Sequence, residues 1–227
     1  MKKGTFFCVG VGPGDPKLMT FLAAQTIRDC DVAALPSSGA KENAAQKIAG
    51  EFLAGKELLF CDMPMTRDRE ALARAHTAAA RQIGERLDRG QDVAFLTLGD
   101  PSIYATPMYL HHILKKQGYE TRMIPGVPSF CAAAAALDTA LCEGAEPLQV
   151  LPASYPGTAE ALDGPGTKVL MKSGKSMGTV KEQIDTRRFD AMAVECCGMA
   201  EERIHPSLET LDETASYFSV VVVKERK

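Results

Sequence analysis

The sequence lacks both an excess of basic residues and a long apolar run. Its 227 residues include 26 lysines and arginines against 29 aspartates and glutamates, a formal net charge of −3. Domains that bind nucleic acid usually carry a basic excess, so we expect no nucleic-acid partner. The most notable apolar run, residues 130–137, is alanine-rich and far shorter than the ~20 residues of a membrane-spanning helix. We therefore expect no membrane partner.

Signals for export, metal binding and disulfide formation are also missing. The apolar stretch near the N-terminus stops at the Gly-Pro-Gly-Asp of residues 12–15 without a small-residue cleavage site, so no signal peptide is predicted. The seven cysteines are scattered, and none has the two-residue spacing of zinc sites. The sequence thus predicts no protein-bound metal. In a chain long enough to bury a sizeable core, the cysteines are interpreted as reduced thiols of a cytoplasmic protein.

Strand-like and helix-like segments alternate along the chain, which predicts α/β architecture with mostly parallel sheets. Strands are expected at about 5–11, 31–35, 57–60, 92–96, 121–124, 168–171, 191–195 and 217–223, and helices at about 18–29, 43–53, 68–89, 107–116, 129–138 and 177–184. Because the late strands lack intervening helices, the second sheet is predicted to be mixed. We place an N-terminal α/β domain at residues 1–117 and a C-terminal α/β domain at residues 118–227.

Three glycine-containing loops directly follow predicted strands. They are GVGPGDP at residues 10–16, TLGDPSIY at residues 97–104 and IPGVPSF at residues 124–130. Glycine lets a backbone turn sharply and approach a ligand, and ligands of open α/β sheets bind beyond the carboxyl ends of strands. We therefore expect the first two loops to face one crevice. Asp100 offers a carboxylate to ligand hydroxyls or an amine, and Ser129 is a candidate cap for the helix that follows it.

Other chemistries fit these loops less well. A dinucleotide fingerprint needs glycines at offsets zero, two and five, but offset five from Gly10 is Asp15, an acid that disfavours a pyrophosphate. The Ser-Gly-Lys-Ser of residues 173–176 has Val169 where a phosphate-binding loop requires glycine. No Gly-x-Ser-x-Gly motif of a serine hydrolase occurs. A nicotinamide enzyme and a module that binds a nucleotide-like ligand without turnover remain as alternatives.

The three loops, in this order, resemble those of the tetrapyrrole (corrin/porphyrin) methylase family over nearly the whole chain. LGDPSIY at residues 98–104 and PGVPSF at residues 125–130 are similar to the precorrin-2 C20-methyltransferase branch, whereas uroporphyrinogen III methyltransferases more often show Thr-Ala at residues 128–129. The resemblance implies two α/β domains with a cleft between them, not the Rossmann-type methyltransferase fold. It further implies a homodimer and S-adenosylmethionine as the cofactor, with S-adenosylhomocysteine as its product.

The activity that the resemblance implies is methylation of C20 of precorrin-2 or cobalt-precorrin-2, which gives precorrin-3 or cobalt-precorrin-3 in cobalamin biosynthesis. Methylation of another ring position, or of uroporphyrinogen III, is the alternative within the family. Such a tetrapyrrole is a polyanion, so a protein of net charge −3 must concentrate positive charge in its cleft. The resemblance identifies no catalytic base.

The resemblance also assigns functional residues by position. Its cofactor-binding residues are Pro13, Leu98, Gly99, Asp100, Ile103, Tyr104, Pro128, Ser129, Phe130, Met171, Lys172, Cys197 and Gly198. In the second half, Met171 and Lys172 end a predicted strand where the family contacts adenine. Asp15 and Lys41 are expected in the substrate cleft.

Overall fold

A computed structural model of the chain describes residues 2–37, 43–153, 157–212 and 215–226. The chain divides into two compact units, Met1–Pro128 (unit 1) and Ser129–Lys227 (unit 2). Unit 1 alternates strands and helices throughout, and in unit 2 the last strands follow one another without an intervening α-helix, both as the sequence predicted.

Unit 1 is built on a five-stranded parallel sheet. Its elements are β1 (Thr5–Gly10), α1 (Phe21–Asp29), β2 (Val32–Ser37), α2 (Ala44–Ile48), β3 (Glu57–Asp62), α3 (Arg69–Leu87), β4 (Val93–Thr97), α4 (Pro107–Lys116) and β5 (Glu120–Ile124). All strand pairings in this sheet are parallel, and the order is β3-β2-β4-β1-β5. A Rossmann sheet places β1 between β2 and β4, whereas here β4 lies between β2 and β1. The sheet is therefore not of the Rossmann type.

The core of unit 1 covers both faces of this sheet. Phe6 and Phe95 point to the face that packs against α3 and α4, and Val9 and Leu96 point to the face that packs against α1 and α2. Because successive side chains of a strand alternate between faces, a strand buried on both sides is apolar throughout. This explains why β1 and β4 are short runs of mostly apolar residues.

Side-chain caps set the starts of two helices. The helix predicted from residue 18 begins at Phe21, because the Thr20 hydroxyl accepts a hydrogen bond from the Ala23 N–H at 3.1 Å. Residues Pro16–Leu18 form a short 3₁₀ turn instead. The long helix α3 begins after Asp68, whose carboxylate accepts hydrogen bonds from two backbone N–H groups of the first turn.

Unit 2 contains a mixed sheet, as predicted. Its elements are α5 (Ser129–Ala136), β6 (Leu148–Pro152), α6 (Thr158–Leu162), β7 (Thr167–Met171), α7 (Met177–Gln183), β8 (Phe189–Glu195), β9 (Arg203–His205) and β10 (Ser219–Glu225). The strand order is β6-β7-β10-β8-β9, with β6 and β7 parallel and the other neighbours antiparallel. Strands β6 and β9 and helix α6 were not predicted from the sequence.

The boundary between the units lies later than the sequence analysis placed it. β5 pairs in parallel with β1, with Thr5 opposite Glu120 and Val9 opposite Ile124. Residues 118–128 consequently belong to unit 1, and the division falls after Pro128 rather than after residue 117. Strand pairing between segments so far apart in the chain leaves no mark in local composition, which is why the sequence suggested the earlier position.

Candidate functional site

The two glycine loops that follow β1 and β4 meet in unit 1, because these strands are neighbours and run in the same direction. Gly12 and Gly99 form an isolated antiparallel bridge. The Gly99 N–H donates to the Gly12 carbonyl at 2.7 Å, and the Gly12 N–H donates to the Gly99 carbonyl at 3.3 Å. The expectation that these two loops lie together is therefore met.

Asp100 connects the third loop to the second. Its Oδ2 atom accepts a hydrogen bond from the Gly126 N–H at 2.9 Å, and its Oδ1 atom accepts one from the Ser102 N–H at 2.8 Å. The Ser102 hydroxyl donates to the same Oδ1 atom. One carboxylate thus closes its own turn and holds the loop that follows β5.

The contact among the three loops requires glycine. A Cβ atom at Gly126 would lie 2.1 Å from the Gly99 carbonyl oxygen, and a Cβ atom at Gly10 would lie 2.6 Å from the same oxygen. Gly99 also has a left-handed backbone, with φ of +71°. These backbones therefore pack at distances that a larger residue would prevent.

The remaining cofactor residues predicted in unit 1 lie around this contact. Pro13 is buried immediately after the Gly12 bridge, and Leu98, Ile103 and Pro128 are partly buried. Tyr104 is exposed and has a left-handed φ of +48°. Such a conformation costs a non-glycine residue on the order of 1 kcal/mol and is found often at ligand sites.

Of the two residues predicted for the substrate cleft, the structure describes only Asp15. Asp15 accepts a hydrogen bond from the Lys17 N–H at 2.9 Å and caps the 3₁₀ turn of its own loop. Its contact with substrate stays a prediction. Lys41 lies outside the described residues.

In unit 2, the residues predicted after β7 and β8 lie at one edge of the sheet. Both strands run antiparallel to β10, which lies between them, so their carboxyl ends share an edge. The first residue after each strand, Lys172 and Cys196, has a left-handed φ of +58° and +49° respectively. The predicted residues at this edge are Met171, Lys172, Cys197 and Gly198.

Burial controls the ionisation of two of these side chains. Lys172 is partly buried, and the loss of solvation lowers the pKa of its ammonium group. Burial, together with the nearby Glu202 carboxylate, raises the pKa of the Cys197 thiol to about 12. The thiol is consequently neutral at physiological pH. The Gly198 N–H donates to Glu202 Oε2 at 2.6 Å, so Glu202 also fixes this loop.

Ser129 and Phe130 lie at the start of α5 in unit 2. The helix begins at Ser129 itself, so Ser129 is the first helical residue and not the cap that the sequence analysis expected. Phe130 is buried.

Three residues at the edge of unit 2 are not among the site residues predicted from the sequence: Glu195, Tyr217 and Phe218. Glu195 is fully buried at the end of β8, and the two aromatic residues are exposed just before β10 begins. An acidic residue directly after the apolar residues 191–194 was the available signal for Glu195. The aromatic residues were predicted only as part of a strand.

Within the described ranges the chain has neither a candidate metal site nor a helix that could span a membrane. There, no group of three or more His, Cys, Asp or Glu residues is placed to hold a metal ion. No helix in the same ranges combines the length and apolar character that crossing a bilayer requires.

The fold and the glycine loops define a protein of two α/β units whose three glycine loops follow β1, β4 and β5. The sequence profile described as Tetrapyrrole (Corrin/Porphyrin) Methylases matches residues 5–212, and the chain belongs to this family. A solved structure of cobalt precorrin-4 methyltransferase, CbiF, has the same fold, with a TM-score of 0.76 and 19% sequence identity. That match covers 97% of this chain and 94% of the other.

Two relatives show where the sequence similarity lies. The cobalamin biosynthesis protein CobIJ of Mycobacterium tuberculosis is 32% identical over 234 residues, which cover 97% of this chain and 46% of CobIJ. The chain thus spans about half the length of that relative. The probable cobalt-precorrin-2 C(20)-methyltransferase of Methanocaldococcus jannaschii is 38% identical over 148 residues, which cover 63% of this chain and 62% of the relative.

Proposed function

We propose that this protein transfers a methyl group from S-adenosylmethionine to C20 of precorrin-2 or cobalt-precorrin-2, giving precorrin-3 or cobalt-precorrin-3. The observation that carries the proposal is the family match over residues 5–212, whose three glycine loops meet through Gly12, Gly99 and Asp100. The similarity to a relative whose name specifies C(20) supports the ring position.

The residues of the candidate site fit S-adenosylmethionine. Its methionine part carries a cationic sulfonium, an ammonium group and an anionic carboxylate on an aliphatic chain. The partly buried carboxylate of Asp100 suits the ammonium group, and the partly buried apolar side chains of Leu98 and Ile103 suit the aliphatic chain. Pro13, Gly99 and Tyr104 would complete this binding surface. The glycine positions, where a Cβ atom would collide with backbone, keep the surface compact.

In unit 2, we propose contacts with the adenosine part of the cofactor. Met171, Lys172, Cys197 and Gly198 lie at one edge of its sheet, where the neutral thiol of Cys197 adds no charge. Pro128, Ser129 and Phe130 are proposed to lie against the donor group.

Bound S-adenosylmethionine supplies a methyl group that the sulfonium already activates, so the protein mainly aligns the reactants. The hydrogen bonds of Gly12 with Gly99 and of Asp100 with Gly126 hold the loops in one arrangement. C20 is electron-rich because the adjoining ring nitrogen pushes electrons to it, so its attack on the methyl group, which releases S-adenosylhomocysteine, needs no strong external base. C20 then loses its proton, which restores the conjugation of the macrocycle. Both carboxylate oxygens of Asp100 already accept hydrogen bonds from the protein, which favours a positioning role over that of a base.

Methylation of another ring position is the second candidate, and methylation of uroporphyrinogen III is a further one. The solved structure of cobalt precorrin-4 methyltransferase shares the fold, so the fold by itself is compatible with more than one tetrapyrrole substrate. The presence of cobalt would be a property of the substrate's macrocycle and requires no ligand from the protein.

Two measurements test the proposal. Calorimetric titration with S-adenosylhomocysteine is expected to show micromolar binding, whereas NADH, the control, is expected not to bind. The protein is then incubated with precorrin-2, with and without cobalt, and with S-adenosylmethionine carrying a ¹³C-labelled methyl group. Label at C20 in the nuclear magnetic resonance spectrum supports the proposal. Label at another carbon favours the second candidate, and binding of NADH instead would contradict a methyltransferase.

The homodimer and the cytoplasmic location belong to the same proposal and rest on the family resemblance and on the expected reduced thiols. All seven cysteines are free. Light scattering is expected to give twice the mass of one chain, and a monomer at micromolar concentration would contradict the dimer. Cell fractionation followed by immunodetection tests the location.

A further inference from the structure

Glu195 ties three segments of unit 2 together. Its carboxylate is only 1% exposed. The Ser216 N–H donates to Oε2 at 2.7 Å, His205 Nε2 lies 3.0 Å from Oε1, and the Arg203 guanidinium lies 3.3 Å from Oε1. Arg203 and His205 belong to β9, whereas Ser216 precedes β10. A buried carboxylate is costly unless it is paired in this way, so the network holds these segments in one arrangement.

The same network fixes the chain that leaves β8. The Cys196 N–H donates to the Phe218 carbonyl at 3.1 Å, and the Cys196 thiol donates to the Ser216 hydroxyl at 3.4 Å. The Phe218 N–H donates to that hydroxyl at 3.2 Å. The loop after β8 and the segment before β10 are therefore bonded side by side, directly beyond Glu195.

The segment held by Glu195 presents two aromatic rings at the edge of the sheet. The Tyr217 and Phe218 rings lie edge to face with their centroids 5.6 Å apart, and they are 46% and 41% exposed. Tyr217 also lies close to the chain that leaves β7, because a Cβ atom at Gly174 would be 3.4 Å from Tyr217 Cα. The rings thus stand between the two loops proposed for the cofactor. Exposed aromatic faces stack favourably on flat aromatic ligands.

We propose that Glu195 is a positioning residue for the cofactor: through Ser216 it holds Tyr217 and Phe218 beside the loop at Cys197 and Gly198, and Tyr217 stacks on the adenine ring. The inference rests on the proposed function and extends it to Ser216 and Tyr217, to which the family resemblance gave no role, and to a positioning role for Glu195. Neither Glu195 nor Tyr217 takes part in the transfer of the methyl group.

The test is a double-mutant cycle on S-adenosylhomocysteine affinity, measured by calorimetry with variants whose folding is verified by circular dichroism. Tyr217→Ala is expected to weaken binding about tenfold. Glu195→Gln removes the charge that pairs with Arg203 and His205, and it is expected to weaken binding by a similar factor. Arg203→Ala perturbs the same network at a side chain that is 66% exposed, and it serves as the second variant if Glu195→Gln fails to fold.

The decisive measurement is the S-adenosylhomocysteine affinity of the double variant. If Glu195 acts through Tyr217, then Glu195→Gln combined with Tyr217→Ala binds within about twofold of Tyr217→Ala alone. Phe189→Leu, at the opposite end of β8, is the control for loss of stability without loss of affinity. The inference would be overturned if the losses of S-adenosylhomocysteine affinity in the two single variants multiplied in the double variant. It would also be overturned if Tyr217→Ala bound S-adenosylhomocysteine as tightly as the unaltered protein. Absence of binding to the unaltered protein would instead contradict the proposed function, and the inference with it.

Discussion

The Asp100 carboxylate and the Gly126 backbone N–H are joined by a hydrogen bond of 2.9 Å between two different loops of unit 1. Asp100 follows β4 and Gly126 follows β5, and β1 lies between these strands. The bond therefore passes over the end of β1 and sets the spacing of the two outer loops. Hydrogen bonds to a charged acceptor are about twice as strong as neutral ones, so this bond is well suited to that task.

Replacing Asp100 with alanine is expected to weaken S-adenosylhomocysteine binding about tenfold, because a hydrogen bond to a charged group contributes about 1.5–3 kcal/mol. The rate at saturating S-adenosylmethionine is expected to change much less. Calorimetry and steady-state kinetics measure the two effects. Asp68→Ala is the matched control, since Asp68 also accepts two backbone hydrogen bonds but caps α3. Unchanged cofactor affinity in Asp100→Ala would contradict the role assigned to Asp100.

Gly126→Ala is expected to lower both the free energy of unfolding and the cofactor affinity. The added methyl group would lie 2.1 Å from the Gly99 carbonyl oxygen, so the loops must separate, at a cost of about 1–3 kcal/mol or more. Chemical denaturation and calorimetry measure the two effects. At Gly50 the same change meets no atom within 4 Å, and Gly50→Ala is expected to be neutral or slightly stabilising. Equal behaviour of the two variants would show that the close contact is not required.

Lys168→Met is expected to raise the free energy of unfolding by about 1–3 kcal/mol at neutral pH. Lys168 is fully buried in β7, and within the described chain its Nζ atom has no hydrogen-bond partner, although it lies 5.0 Å from the centre of the Phe189 ring. Chemical denaturation measures the gain. Lys56→Met is the control and is expected to destabilise, because Lys56 Nζ donates to the carbonyls of Arg28 and Cys30.

The increase in the free energy of unfolding from Lys168→Met is expected to become smaller as the pH rises. Burial lowers the pKa of Lys168 below its ordinary value of 10.5. Between the folded-state pKa and 10.5 the unfolded chain binds more protons than the folded chain, so the unaltered protein gains stability as pH rises through that window. The methionine variant lacks this gain, and its advantage shrinks toward pH 10.5. A difference that stays constant with pH would contradict a buried ammonium group whose pKa is lowered by burial.

Tetrapyrrole binding is expected to weaken strongly with salt, whereas binding of S-adenosylhomocysteine is expected to respond little. The proposed substrate is a polyanion, and the screening length falls from ~10 Å at 0.1 M salt to ~3 Å at 1 M. Dissociation constants measured by fluorescence titration at several salt concentrations test this expectation. Lys172→Met should reduce the slope, while Lys181→Met should not, because Lys181 Nζ is bonded to the Leu211 carbonyl. A dissociation constant that does not vary with salt would argue against a site lined by positive charge.

The sequence predicted those helices and strands that have a clear hydrophobic pattern or a characteristic terminal residue. α4 has the predicted bounds, and α3 ends near Gly90, where a left-handed φ of +80° suits glycine. The strand β9 has only three residues, Arg203–His205, and β6 is an edge strand that ends in Pro152, so neither carries a clear pattern. The final strand begins at Ser219, two positions later than predicted, because residues 217–218 are exposed before pairing begins.

In the candidate site, too, the features with a local sequence signal were predicted and those that depend on tertiary contacts were not. The loops rich in glycine and aspartate predicted that Gly12 and Gly99 lie close together. Such residues are typical of strand ends and of left-handed backbone angles, so this signal is present in the local sequence. The bond from Asp100 to Gly126 depends on which strands are neighbours, and sequence periodicity does not contain that information. The role of Glu195 depends on partners in β9 and before β10, which only the tertiary structure brings together.

The position of β1 between β4 and β5 also governs the order of assembly. β1 leaves the ribosome before its hydrogen-bonding partners, which are residues 93–97 and 120–124. At a synthesis rate of about 5–20 residues per second, both of its edges stay unpaired for roughly ten seconds. Until then the three loops are not assembled into a surface that a ligand can recognise. A ligand of these loops therefore stabilises only the finished unit and cannot serve as a template for the growing chain.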